Sequence, residues 1–209
     1  MESLFNNGGV IGKRLSYRQS LISFPYTLGF EEGVLGNEWI KTNNFNITTF
    51  PVRTGSYAAG NSGATIDAEL DLVSLFGQAY QFDEIEFYWY ELTNQTGFTV
   101  EFVDSSNNVV FQAGGNNPQW EIEDADGSVT PYGGDGYERW ILYRFTFDWS
   151  NGQYSYFMED TSTNSSSSDS NRNMFYSTDI AVIRINDANG GWGNASYMWF
   201  DDFKFSYSG

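Results

Sequence analysis

The chain's 209 residues, 23.7 kDa, are enough for one domain that buries about 70% of its unfolded surface. It has neither cysteine nor histidine, which excludes disulfides, thiolate and imidazole metal sites, and Ser-His-Asp or Cys-His catalysis. Ten Lys+Arg against 27 Asp+Glu give a net charge of −17, a field that repels nucleic acid and anionic membrane surfaces.

Lysine occurs only at positions 13, 41 and 204. Uniform acidity of this kind suits a protein kept soluble in concentrated salt, as in a halophile, where screening removes self-repulsion, or an acidic extracellular protein. Aromatic residues make up 19% of the chain, which is not a disordered composition. There is no apolar run long enough to span a membrane. Residues 1–24 hold no continuous apolar core and no small-residue cleavage site, so no signal peptide is expected.

The first 25 residues have weak periodicity, the pair Gly8-Gly9 and the basic residues Lys13, Arg14 and Arg18, and are expected to form an extended arm preceding a domain over 26–209. Residues 67–76 fit either a short helix or a strand, and the strand is the expectation. Residues 84–91 alternate, with Ile85, Phe87 and Trp89 on one face and Glu84, Glu86, Tyr88 and Tyr90 on the other. Residues 99–111 read as a hairpin turning at 104–108.

The clearest strand is 140–149, with Ile141, Tyr143, Phe145, Phe147 and Trp149 on one face and Trp140, Leu142 and Arg144 opposite. Residues 152–159 answer it across a Ser-Asn-Gly turn. The Ser/Asn-rich segment 161–173 is expected to be a flexible loop, and 177–186 and 197–207 to be the last two strands. Strands of this length between Gly/Asn/Ser/Asp turns predict an all-β, two-sheet antiparallel sandwich.

Two acidic pairs stand out, Glu31-Glu32 near the start and Asp201-Asp202 in the last strand. One of the adjacent aspartates must face the core, and a buried carboxylate needs a cation or several donors. First and last strands commonly pair in such sandwiches. Carboxylates with no nitrogen ligand suit Ca²⁺, the alternative being surface carboxylates beside a turn.

The segments Phe30-Glu31-Glu32-Gly33, Gly55-Ser56-Tyr57 and Asp201-Asp202-Phe203 resemble those of concanavalin A-like and carbohydrate-binding-module jelly rolls. The resemblance covers residues 26–209. It implies that fold, and a structural Ca²⁺ bridging the opening Glu and the closing Asp, with Glu31 and Asp201 foremost and Glu32 and Asp202 behind them.

The same fold includes laminarinase-type hydrolases with a Glu-x-Asp-x-x-Glu strand. Here Glu84 and Glu86 share a face, but the central Asp is missing and Glu91 is out of phase, so no catalysis is expected. Tyr88, Tyr90, Trp140 and Arg144, with Trp192 in a Gly-Gly-Trp-Gly loop, form a candidate glycan-stacking face; alternatively they cover the second sheet or pack on a neighbouring subunit. Sequons at Asn46, Asn94, Asn164 and Asn194 are about as many as chance gives.

The opening Gly8-Gly9-Val10-Ile11-Gly12-Lys13-Arg14 is similar to the start of many tailed-virus structural proteins. That resemblance implies a non-enzymatic virion surface protein, a turret, decoration or tail spike, fixed to other virion proteins through residues 1–25. Gly8, Gly9, Ile11, Lys13 and Arg14 would make the attachment. With the acidity, it implies a virus of halophilic archaea, a homo-oligomer and contact with host-surface glycans. A carbohydrate-binding module or lectin is the alternative, with a glucanase-like hydrolase behind it.

Overall fold

Two-residue alternation folds into two antiparallel sheets packed face to face. The computed structural model describes residues 23–64, 66–92, 97–116, 119–132, 138–187 and 196–209. With strands numbered in chain order, the larger sheet runs β13 (Ser165–Asn173), β12 (Gln153–Asp160), β11 (Arg139–Asp148), β6 (Glu84–Glu91), β15 (Ser196–Ser206), β4 (Ala58–Ala64), β3 (Asn46–Thr48). A further short strand, β1 (Tyr26–Leu28), pairs with β15 at Phe203–Phe205. The smaller sheet runs β10 (Val129–Tyr132), β9 (Gln119–Glu123), β8 (Val109–Asn116), β7 (Gly97–Val103), β14 (Val182–Asp187), β5 (Asp67–Asp71), β2 (Trp39–Asn43). This is the expected jelly-roll sandwich.

The core lies between the inner faces. Ile85, Phe87 and Trp89 of β6 and Ile141, Tyr143 and Phe145 of β11 meet Val100 and Phe102 of β7 and Ile183 and Ile185 of β14. Phe102 packs edge-on to Phe145 at 5.3 Å, and Trp89 lies 4.5 Å from Phe98. Such rings bury large apolar areas at low conformational cost, so an aromatic-rich chain needs no disulfide. Phe24, assigned from sequence to the arm, packs on Phe76 at 5.3 Å and Tyr207 at 5.7 Å.

The structure departs from the expected elements in three places. Residues 67–76 divide: β5 ends at Asp71, whose carboxylate accepts from the Val73 and Ser74 amides and starts α1 (Leu72–Phe76). Both competing readings thus hold, one for each half, because Asp71 is a capping residue placed between them. The segment 161–173 is not a loop throughout. After a tight turn at Thr161–Asn164 it returns as β13, pairing with β12 through its backbone although its serines carry no apolar pattern.

The third departure fixes the functional face. Asp202 has a φ of 50°, and the pairing of β15 with β6 shifts register between Asp201 and Lys204. This is a β-bulge, which inserts one residue and reverses the phase beyond it. Met198 and Phe200 before the bulge and Phe203 and Phe205 after it therefore all face the core. Neither aspartate has to enter the core, and Trp199 turns to the outer face of the larger sheet.

Candidate functional site

The two outer faces differ in chemistry. On the smaller sheet a cross-strand row alternates in charge: Lys41 reaches Glu69 at 2.7 Å, and Arg184 bonds Glu69 at 3.0 Å and Glu101 at 2.8 Å. These ions satisfy one another. On the larger sheet the cross-strand register aligns Trp140, Tyr90, Trp199, Gly60 and Asn46 in one row across β11, β6, β15, β4 and β3. At the usual strand spacing the row spans roughly 19 Å. Tyr90 lies 5.4 Å from Trp140 and 5.9 Å from Trp199, ring to ring.

The row ends in a cleft of about 210 Å³ lined by Asn46, Ile47, Thr48, Phe50, Gly60, Asn61 and Trp199. Gly60 is what lets Trp199 lie across β4. A Cβ there would sit 2.1 Å from the Met198 carbonyl oxygen and 2.7 Å from Trp199 Cδ1. The Thr48 hydroxyl donates to the Phe50 carbonyl at 2.7 Å and accepts from its amide at 3.1 Å, a tight turn that holds the Phe50 ring outward. Phe50 is 72% exposed, whereas Trp199 is 5% exposed and forms the cleft's wall. Among the described residues the exposed carboxamide of Asn46 takes no side-chain hydrogen bond. One aromatic wall, an outward aromatic rim and an unengaged amide offer stacking together with hydrogen bonding.

A strap, residues 51–57, crosses the same face beside the cleft and is held by the acidic residues singled out in the sequence. Asp201 Oδ2 accepts from the amides of Arg53 at 3.1 Å and Thr54 at 3.3 Å, and Oδ1 from the Asp202 amide at 2.9 Å. Asp202 accepts from the Thr54 hydroxyl at 2.7 Å, and Glu31 from the amides of Ser56 at 2.8 Å and Tyr57 at 3.4 Å. Burial pushes the Asp201 carboxyl up to about 6, helped by the Asp202 charge and opposed by its N–H donors.

The first and last strands do pair, and Glu31 and Asp201 do serve one feature. That feature is a loop of N–H groups pointed at both carboxylates. Among the described residues no three or more acidic side chains are grouped to hold a metal ion. Glu32 lies exposed in the turn.

The stacking residues expected from sequence, Tyr88, Tyr90, Trp140 and Arg144, all lie on this outer face, but two are already engaged. The Arg53 guanidinium lies 4.6 Å from the centre of the Tyr88 ring and covers it. Arg144 bonds Glu86 at 2.7 Å and approaches Glu84 at 3.8 Å, so neither it nor that carboxylate pair stands open to a ligand. Trp192 and the attachment residues Gly8, Gly9, Ile11, Lys13 and Arg14 lie outside the described residues. Sequence reasoning missed Trp199, Asn46, Phe50, Gly60 and Arg53. The first four come from three separate segments, and no spacing in the chain signals their meeting.

No family model matches the chain, and no curated protein matches it. Solved structures do. Arcelin-5, a lectin-like defense protein from Phaseolus vulgaris, superposes with TM-score 0.58 at 11% identity over 88% of this chain and 98% of its own. The Crh5 transglycosylase in its apo form gives 0.58 at 9% identity over 90% and 86%. A sialidase gives 0.50 at 8% identity, with this chain covering only 18% of its length. The chain therefore has the lectin-like jelly-roll fold, one that serves both binding proteins and enzymes.

Proposed function

We propose that this chain is a non-catalytic carbohydrate-binding module whose sugar site is the Trp199 cleft. The observation that carries the reading is that cleft: an indole wall, the exposed Phe50 ring, the unengaged Asn46 amide and about 210 Å³ of space, room for one sugar ring. Pyranoses stack their C–H faces on aromatic rings and offer hydroxyls to amides, which is the chemistry this cleft presents. The likeness of fold to a lectin-like protein supports the reading. The clamp of Arg144 on Glu86 supports a binding role over hydrolysis.

The test is a glycan panel followed by titration calorimetry of the best neutral ligand. Trp199→Ala and Asn46→Ala are each expected to weaken binding about tenfold or more, the usual range for losing an aromatic stack or a polar anchor. Asn46 is exposed, so its variant leaves the fold intact even if Trp199→Ala unfolds. Binding unaffected by Asn46→Ala and Trp199→Ala, or no glycan bound at all, would refute the proposal.

Display on a virion through residues 1–25 is compatible with this geometry. The chain enters the sandwich where β1 pairs with Phe203–Phe205, six residues along β15 from Trp199 and so roughly 20 Å from the cleft. A tether there leaves the cleft free. Deletion of residues 1–22, assayed by incorporation into particles, tests that placement separately from sugar binding.

A further inference from the structure

Seven basic residues are described, and five of them, Lys41, Arg139, Arg144, Arg172 and Arg184, have a carboxylate within ion-pair distance. Arg53 and Lys204 have none among the described residues. Both exceptions fall on the outer face of the larger sheet, around Tyr88. Arg53 stacks on the Tyr88 ring at 4.6 Å. Lys204 stands opposite Glu86, two residues along β6 from Tyr88 and on the same face. Diagonal neighbours in such a sheet are about 7–8 Å apart, a gap that long basic side chains close.

Three features prepare Arg53 for a ligand. Its amide is pinned by Asp201, so its backbone is fixed before anything binds. Its guanidinium lies on the Tyr88 ring, which holds the fork in place. Its Nε is buried and has no hydrogen-bond partner. The nearby carboxylates are engaged: Glu86 is held by Arg144 at 2.7 Å, and Asp202 accepts the Thr54 hydroxyl at 2.7 Å. The planar fork of arginine matches the two oxygens of a carboxylate, and an ammonium beside it adds a point charge.

We infer that Arg53 and Lys204 form a receptor for one carboxylate group, presented by an acidic sugar residue next to the ring in the Trp199 cleft. That the carboxylate is carried by a sugar rests on the carbohydrate reading; the receptor itself does not. Tyr88 lies two residues along β6 from Tyr90, a step of roughly 7 Å, and Trp199 stands one strand spacing further across, so roughly 8–9 Å separate the receptor from the cleft's wall, within reach of a neighbouring residue of one oligosaccharide.

The test titrates the intact chain with a disaccharide of glucuronic acid linked to glucose (the glucuronide), the matching disaccharide of glucose (the glucoside) and acetate, followed by calorimetry and by amide shifts in NMR. The glucuronide is expected to bind about tenfold more tightly than the glucoside, the scale of one charge-assisted contact. Arg53→Gln and Lys204→Gln are each expected to abolish that preference while leaving glucoside affinity in place. Lys204 makes no ion pair among the described residues, so its variant reports even if Arg53→Gln disturbs the strap.

A glucuronide bound no better than the glucoside overturns the receptor and leaves the sugar cleft standing. Acetate that shifts the Arg53 and Lys204 amides, with neither glycoside bound, supports the receptor and overturns the carbohydrate reading. No response to any of the three ligands overturns both.

Discussion

Asp201 makes the fold's stability depend on pH in the opposite direction from an ordinary paired carboxylate. Its carboxyl is fully buried, and burial together with the Asp202 charge raises it from 3.8 to about 6. The folded chain therefore holds this proton more tightly than the unfolded chain does. The resulting stabilisation is complete below about pH 4 and is lost as pH rises through about 6. A difference of about two pH units corresponds to about 3 kcal/mol. Replacing Asp201 with Asn removes the titration and nearly preserves shape, at the cost of presenting an NH₂ to one of the N–H donors. That cost does not vary with pH. The carboxylates held low by their donors, such as Asp104 and Asp160, titrate alike in both proteins and cancel. Urea unfolding followed by tryptophan fluorescence from about pH 4 to pH 8 should show the wild-type advantage over Asp201→Asn falling by about 3 kcal/mol. A difference that is flat, or that grows with pH, would refute the burial argument.

Further outcomes follow from other contacts. Arg172 donates to buried Asp124 at 2.5 and 2.8 Å, and Tyr154 donates to the same carboxylate at 2.5 Å, joining the edge of the larger sheet to the turn after β9. Arg172→Ala leaves that charge buried without its cation and should cost about 3–5 kcal/mol in chemical denaturation; a loss below about 1 kcal/mol would show that the edge relaxes to admit water. Because the carboxylates of Glu31 and Asp201 are met by N–H groups, melting temperatures in Ca²⁺ and in chelator should coincide. A clear rise with Ca²⁺, lost in Asp201→Ala, would contradict the donor assignment.

Much of the architecture is readable in the chain because β6, β11 and the β7–β8 hairpin obey strict alternation, with small polar residues at their turns. The site is not, and the bulge is the reason. Trp199, Phe203 and Phe205 are all odd-numbered, so an uninterrupted strand puts them on one face and hides Trp199 in the core. Only a left-handed Asp202, which no pattern of apolar residues announces, separates them. β13 escaped for a different reason, since a run of serines pairs by backbone alone and leaves no side-chain signature. Tyr88 was placed on the correct face, but its cover, Arg53, comes from a strap some 35 positions away whose path is set by acceptors on Glu31 and Asp201.

The strap has a consequence for redesign. Its second half is anchored by three carboxylates, whereas the stretch from Thr49 to Val52, with Phe50 at its tip, is held by none of them. Recognition and scaffold are therefore separable: the exposed Thr49 and Phe50 can be randomised in a display library to change which ligand is captured, while buried Pro51 and the anchors keep the variants folded.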